Sequence, residues 1–239
     1  MTSPDRPAPR TDDSPRLAAD ARSILACPSS VSMVVEGETR LVGADHQLGL
    51  TDQLGAPTFV CTVDSPVARA ADSRRSALLT LTSGLGPRGS AERADTLTLA
   101  GRLERTGIED CDCCRETRHV VTLDLSFVLL ARADRQLRVP LDQFHSPAHH
   151  LNRGHLQRCV EHANDCHQDE LRQAVSLGTG TRPGDLLGVR LAGLTPSRVE
   201  IQWVDVDGAH RTVVSFPRTA GSLDELGELL RRGLHAGLC

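Results

Sequence analysis

The hydrophobic pattern of the chain changes its period once, near Phe144, and this change constrains the fold more than any other feature of the sequence. Between Ser30 and Phe144, apolar residues form short runs such as PTFVCTV, SALLTLT and HVVTLDLSFVLLA, which are typical of β-strands. A loop rich in Gly, Pro and Ser separates two of these runs over 81–95. Several strands behind one leading helix favour a small, mostly antiparallel barrel or sandwich, and we place this domain at 16–144.

Helical and strand-like periods alternate in the rest of the chain. Ser146 is a good N-cap residue and predicts a helix that runs to about Cys166, and a second helical stretch ends at Gly178. Three strand-like runs follow, LLGVRLAGL, RVEIQWVDV and HRTVVSF, with Asp207-Gly208 as a hairpin turn between the last two. A Leu-rich helix behind a capping box comes last. We therefore predict an α+β protein whose second domain, 145–239, packs helices on a three-stranded antiparallel sheet.

Composition and charge exclude several classes of function. The net charge is −4 and no basic run occurs, so no nucleic-acid partner is expected. No apolar stretch reaches the ~18 residues of a membrane span. Residues 1–15 are polar and rich in proline, which predicts a disordered tail rather than a secretory signal. We expect a cytoplasmic protein without membrane contact, whose eight cysteines are thiols.

The predicted helix after Ser146 carries histidine and cysteine on one face. At roughly 100° per residue, His155, Cys159, His162 and Cys166 fall within one narrow arc. In one interpretation Cys159 packs on the sheet as a small apolar residue and His155 lies at the edge of that contact with a hydrogen bond. In the other, His155 or His162 supplies an imidazole to heme iron, which needs only one or two axial ligands. The pattern leaves both interpretations open.

A second group of potential ligands lies in the polar segment TGIEDCDCCRETRH. Cys111, Cys113, Cys114 and His119 would satisfy a zinc site by count, although C-x-C-C is not a usual ligand spacing. The alternative is a set of exposed thiols without a function. No nucleophile elbow, P-loop or dinucleotide-binding glycine motif occurs, so the sequence favours a non-catalytic protein.

The C-terminal third resembles a known family. The stretch HHLNRGHL, the strand pair around Asp207-Gly208, VVSFP and the Leu-rich last helix are similar to the DUF2470 domain over about 146–236. The opening motif of that domain, H-[ML]-N-x-D-H, stands here as His150 to His155, with Gly154 in place of the acidic residue. In that family the domain often follows a split β-barrel of the pyridoxamine-phosphate-oxidase type. The resemblance thus implies a split barrel for the first domain, and the Lys-free composition indicates an actinobacterial source.

The resemblance implies a link to tetrapyrroles, because the two-domain arrangement is similar to HugZ-like heme proteins and to the plant protein that binds glutamyl-tRNA reductase. We therefore expect a heme- or tetrapyrrole-linked binding or regulatory protein. The candidate heme ligands are His155, His150 and His149, and also His235, because HugZ-like enzymes use a C-terminal histidine. The alternatives are oxidative heme degradation, a flavin-dependent oxidoreductase, and a degenerate barrel that serves only protein interaction.

Two further expectations concern the first domain. Split barrels of this type usually form homodimers, so we expect a homodimer. We do not expect FMN, because the segment from Ser30 to Phe144 offers only Phe59, Phe127 and Phe144 as aromatic surface for the flavin ring. Arg69, Arg74 and Arg75 would be available for its phosphate.

Overall fold

The fold is mixed α/β. The computed structural model describes residues 14–37, 43–44, 49–110 and 116–235. Contacts divide the chain into two compact units, Met1–His149 and His150–Cys239. None of the helices within the described ranges is long and apolar enough to cross a membrane.

The first unit is built on a curled antiparallel sheet. Its strands are β1 (Pro28–Val35), β2 (Gly43–Ala44), β3 (Leu50–Gln53), β4 (Ala56–Thr62), β5 (Ser76–Ser83), β6 (Thr96–Asp110), β7 (Thr117–Arg132) and β8 (Arg135–Arg138). The order is β2-β1-β5-β6-β7-β4-β3, and β8 also pairs with β7. Residues 118–122 of β7 pair with β4, whereas 129–132 pair with β8 on the same side. The two partners of one long strand give the sheet the half-barrel form that the sequence predicts.

A bulge bends the two longest strands. The register of β6 and β7 shifts between Ala100 and Gly101, opposite Leu125 and Phe127. A Cβ atom at Gly101 would overlap the carbonyl oxygen of Asp124, so a residue with a side chain cannot occupy this position without moving the backbone. Gly101 therefore permits the close approach through which the sheet curls.

Helices cover the apolar face of this sheet. Helix α1 (Ser14–Ala26) overlaps the last two residues of the tail predicted at 1–15, since Ser14 and Pro15 are helical. Helix α2 (Pro66–Asp72) was not predicted, although Ser65 caps it by accepting a hydrogen bond from the Ala68 N–H. A four-residue helix, α3 (Leu141–Phe144), ends the barrel. The apolar run TRLVG, which predicts a strand at 39–43, is only partly covered: residues 39–42 lie outside the described residues, and Gly43 pairs with Met33 of β1.

A buried ion pair joins three of these segments. The Arg22 guanidinium on α1 donates to both carboxylate oxygens of Asp52 in β3, at 3.1–3.3 Å, and both side chains are fully buried. It also donates to the carbonyl oxygen of Phe144 at 3.0 Å. Asp52 in turn accepts from the Gly55 N–H at 2.7 Å. A Cβ atom at Gly55, whose φ is +100°, would lie 2.7 Å from the Arg22 guanidinium, so the turn after β3 is shaped around this charge.

We predict that Asp52→Asn destabilises the protein by about 3–5 kcal/mol, because it leaves the buried Arg22 charge without a counter-charge. Urea unfolding followed by circular dichroism measures the change. The matched control is Asp72→Asn, which removes the partner of Arg105 in an ion pair whose two side chains are each about half exposed. That control should lose no more than about 1 kcal/mol. Equal losses in the two variants would contradict the role given to the buried pair.

The second unit packs three helices on a small antiparallel sheet, as predicted. The strands are β9 (Gly188–Thr195), β10 (Arg198–Asp205) and β11 (Gly208–Ser215), in the order β11-β10-β9. The helices are α4 (Arg153–Cys166), α5 (Gln168–Thr179) and α6 (Leu223–His235). The predicted capping box is present at α6, where Ser222 Oγ accepts from the Glu225 N–H at 3.2 Å.

The first helix of this unit starts later than predicted. Pro147–His149 forms only a single 3₁₀ turn, and α4 begins at Arg153. Asn152 is its N-cap, because the Asn152 side-chain oxygen accepts from the N–H groups of Gly154 and His155 at 2.9 and 3.2 Å. The predicted cap at Ser146 was therefore wrong, whereas the predicted end of the helix at Cys166 was right.

The alternation of β10 buries one of its faces. Val199, Ile201 and Trp203 belong to the apolar core of the second unit, together with Leu226 of α6. Glu200, Gln202 and Val204 alternate with them and are less buried. The alternation in RVEIQWVDV predicts that Val199, Ile201 and Trp203 share one face, and the burial pattern confirms it.

We predict that Trp203→Ala destabilises the protein by about 3–5 kcal/mol, because truncation of a buried aromatic side chain leaves a cavity. Val204→Ala, on the exposed face of the same strand, should cost about 1 kcal/mol or less. Thermal unfolding monitored by circular dichroism compares the two variants without relying on Trp fluorescence. An unchanged melting temperature for Trp203→Ala would show that this indole does not support the core.

Candidate functional site

The histidines and cysteines of α4 differ in their exposure to solvent. Leu156, Val160 and Ala163 are the α4 side chains that pack against the core. His155 is half-buried, which agrees with its predicted position at the edge of the contact. His162 and Cys166 are exposed. The arc seen on the helical wheel thus runs from a half-buried end to a solvent-exposed end.

Cys159 was predicted to lie deeper than His155, but it is only half-buried and outside the core cluster. The wheel had assigned it to the packing face, whereas Leu156 and Val160, on either side of it, fill that face. Burial still raises the pKa of the Cys159 thiol, and the nearby Arg158 offsets only part of this effect. A thiol whose pKa is raised is a weaker nucleophile and metal ligand at neutral pH.

The motif from His150 to His155 divides into structural and chemical positions. Leu151 packs against the core, and Asn152 caps the helix. Gly154 is buried in the first turn. The imidazoles of His150 and His155 are the groups in this motif that can bind a metal ion or heme iron.

The remaining histidine candidates are spread over the two units. His149 is buried and ends the 3₁₀ turn of the first unit, where its N–H donates to the Ser146 carbonyl at 3.1 Å. His150 is the first residue of the second unit and is half-buried. His235 is the last residue of α6.

Of the four predicted zinc ligands, His119 is the one that the structure describes. Cys111, Cys113 and Cys114 lie outside the described residues. His119 is 8% exposed in β7, and its Nδ1 atom has no hydrogen-bond partner among the described residues. Within these residues no group of three or more His, Cys, Asp or Glu side chains could hold a metal ion. The four-ligand site stays a prediction.

The aromatic and basic residues considered for FMN have other contacts. Phe59 and Phe144 are fully buried in the core, and Phe127 is half-buried under the Arg138 guanidinium, 5.4 Å from the ring centre. The Arg69 guanidinium donates to the Asp64 carbonyl, and Arg74 pairs with Glu104.

A shallow depression on the open face of the second sheet was not predicted. It has a volume of about 470 Å³. Gly188, which has no side chain, and Ala209 flank Val204, and the next row across the sheet consists of Arg190, Gln202 and Arg211. The row of Arg190, Gln202 and Arg211 could not be predicted, because it depends on how β9, β10 and β11 are aligned with one another. Two guanidinium groups beside a flat apolar floor can accept a planar molecule with carboxylates.

A polar pair lies at the hairpin end of the same sheet, beside the depression. His210 Nε2 lies 2.8 Å from Asp205 Oδ1, and the imidazole stacks on Trp203 with 5.3 Å between ring centres. Because a carboxylate only accepts, the Nε2 atom carries the proton. This hydrogen bond, supported by the Asp207 N–H, holds the pKa of Asp205 below its ordinary value. The pair fixes the β10–β11 hairpin.

Comparisons with known proteins give fold-level likenesses only. No protein family model matches the chain, and no curated protein matches it. A heme binding protein from Mycobacterium smegmatis is similar over 97% of this chain and 99% of its own, with 17% identity and a TM-score of 0.45. A protein of unknown function from Agrobacterium tumefaciens covers 98% of this chain and is itself covered completely (100%), with 18% identity and a TM-score of 0.41.

A third similar structure matches only part of this chain. It is a Clostridium acetobutylicum protein related to general stress protein 26, of the pyridoxinephosphate oxidase family. It covers 54% of this chain and 98% of its own, with 10% identity and a TM-score of 0.38. At these values none of the likenesses assigns a ligand or a reaction.

We predict that the purified protein carries no FMN. Of the three aromatic residues between Ser30 and Phe144, Phe59 and Phe144 are fully buried in the core, so only Phe127 offers an accessible ring for contact with a flavin. Absorption after gel filtration measures this directly. A flavin band near roughly 450 nm that co-elutes with the protein would contradict the prediction.

Proposed function

We propose that this protein binds heme or a related tetrapyrrole without transforming it, and that an α4 imidazole supplies the axial ligand. The observation that supports the proposal is that the non-histidine residues of the motif from His150 to His155 have structural roles. Packing and capping account for Leu151, Asn152 and Gly154, so the histidines carry its binding chemistry.

His155 suits the role of axial ligand best. Its backbone is fixed in the first helical turn by the Asn152 cap, and its half-buried side chain combines partial water exclusion with access for a ligand. One imidazole is sufficient, since heme needs only one or two protein ligands. When bound, heme would supply redox-active iron, while the chain itself would orient the porphyrin through His155. The Mycobacterium smegmatis protein is named for the same ligand, but at a TM-score of 0.45 that likeness adds no argument.

The depression on the sheet offers a second place for the same ligand. Arg190 and Arg211 could pair with the propionates of a porphyrin lying over Val204. His210 also lines the depression, but its Nε2 atom is hydrogen-bonded to Asp205 and its ring is stacked on Trp203. The His155→Ala variant therefore separates the two sites experimentally.

Hemin titration tests the proposal. We expect wild type to give a saturable Soret shift at one heme per chain, and His155→Ala to lose this shift. His167→Ala, which removes an exposed imidazole from the same unit, is the matched control and should behave as wild type. His150→Ala and His235→Ala test the other candidate ligands.

Three outcomes would contradict the assignment of His155. Identical spectra for wild type and His155→Ala would remove this residue from the site. Loss of the shift only in His150→Ala or His235→Ala would transfer the ligand to that residue. Weakening only in an Arg190→Ala, Arg211→Ala double variant would place hemin in the sheet depression. The expected homodimer stays a prediction.

A further inference from the structure

Two imidazoles face each other where α4 and α5 meet. His162 lies in the last turn of α4, and His167 is the single residue between the two helices. Their Nε2 atoms are 3.3 Å apart, and the rings are nearly perpendicular, with 5.0 Å between centres. Both side chains are exposed. Neither side chain belongs to the apolar core of the unit.

The distance between the two nitrogen atoms is suited to a shared metal ion. Two imidazoles on one tetrahedral Zn²⁺, each about 2.0–2.1 Å from the metal, place their nitrogens about 3.3–3.4 Å apart. A square-planar ion would bring them to about 2.8–3.0 Å. The observed 3.3 Å matches the tetrahedral separation more closely than the square-planar one. With no ion bound, a single N–H···N hydrogen bond joins the two rings at this distance.

The protonation pattern of the pair also suits a cation. His167 Nδ1 lies 3.3 Å from Glu170 Oε1, and since a carboxylate only accepts, Nδ1 donates the proton and Nε2 keeps its lone pair. Metal-binding histidines are commonly oriented by a carboxylate in this way. The surrounding segment, 161–170, contains Glu161, Asp165, Asp169 and Glu170 and no basic residue.

We propose that His162 and His167 form a surface site for a tetrahedral divalent transition-metal ion of the Zn²⁺ class. The two Nε2 atoms are the protein ligands, and water completes the coordination, consistent with the absence of any larger ligand cluster among the described residues. The proton on His162 Nε2 moves to Nδ1 when the metal binds, so the neutral pair releases no net proton. A bound ion links the end of α4 to the start of α5. The site is independent of the tetrapyrrole proposal.

Calorimetric titration of the full chain with Zn²⁺, after removal of bound metal with a chelator, tests the site. His162→Ala and His167→Ala should each lose the same single equivalent of Zn²⁺. Glu170→Gln should weaken that equivalent about tenfold without abolishing it, because it perturbs only the orientation of His167. Binding should weaken as the pH is lowered from about 8 to about 5, because protonated imidazole cannot bind a metal.

A variant without the three cysteines distinguishes Zn²⁺ bound at the histidine pair from Zn²⁺ bound at Cys111, Cys113 and Cys114. A Cys111→Ser, Cys113→Ser, Cys114→Ser variant should keep the equivalent that the two histidine variants lose. Substitution by Co²⁺ should then give the absorption of nitrogen and oxygen ligands without a thiolate charge-transfer band. Equal Zn²⁺ binding by wild type, His162→Ala and His167→Ala would overturn the proposal. Loss of the equivalent in the cysteine variant alone would also overturn it.

Discussion

Arg22 carries its charge in the interior of the first unit, and the arrangement of three segments depends on how that charge is satisfied. A guanidinium removed from water costs several kcal/mol unless a counter-charge and further acceptors surround it. Asp52 and the Phe144 carbonyl meet this requirement, and they bring β3 and the end of α3 to the side of α1. The same charge lies against His145, and burial together with Arg22 lowers the pKa of that imidazole.

The second unit is organised by apolar burial rather than by a charge. Its core forms between one face of β10 and the helices, with Trp203 at the hairpin end. The opposite face of the sheet is left to the row of Arg190, Gln202 and Arg211. Because Leu156, Val160 and Ala163 are the α4 side chains that pack against this core, His155 lies at the edge of the packed face and His162 is exposed to solvent.

Local patterns predicted much of this fold. The alternation in β10 depends on neighbouring residues, so it could be read from the sequence and was right. The hairpin between β10 and β11 was also expected, but its two loop residues are Val206 and Asp207, because Gly208 already pairs with Asp205 in the ladder. The start of α4 was missed because Ser146 and Asn152 are both good caps, and capping differs between such residues by only a fraction of the typical ~1 kcal/mol. Packing of Leu151 against the core accompanies the choice of Asn152.

Long-range contacts were beyond local patterns. Arg22 and Asp52 are 30 residues apart, and the available hint was a lone arginine among the buried Ala18, Ala21 and Leu25 of α1. The contact between His162 and His167 was missed for a related reason. The wheel treats one straight helix, whereas His167 lies at the break between α4 and α5. The sequence therefore predicted the chemical groups of the candidate sites better than their geometry.

The central claim is that a histidine of α4, His155, is the ligand for a tetrapyrrole metal. The most direct test is the nitrogen NMR spectrum of the histidine rings during titration with a diamagnetic metalloporphyrin such as gallium protoporphyrin. We predict that one ring, assigned to His155 by comparison with His155→Ala, shifts to the position of a metal-bound imidazole while His162 and His167 stay unchanged. Binding of the porphyrin with no shift of the His155 ring would contradict the claim.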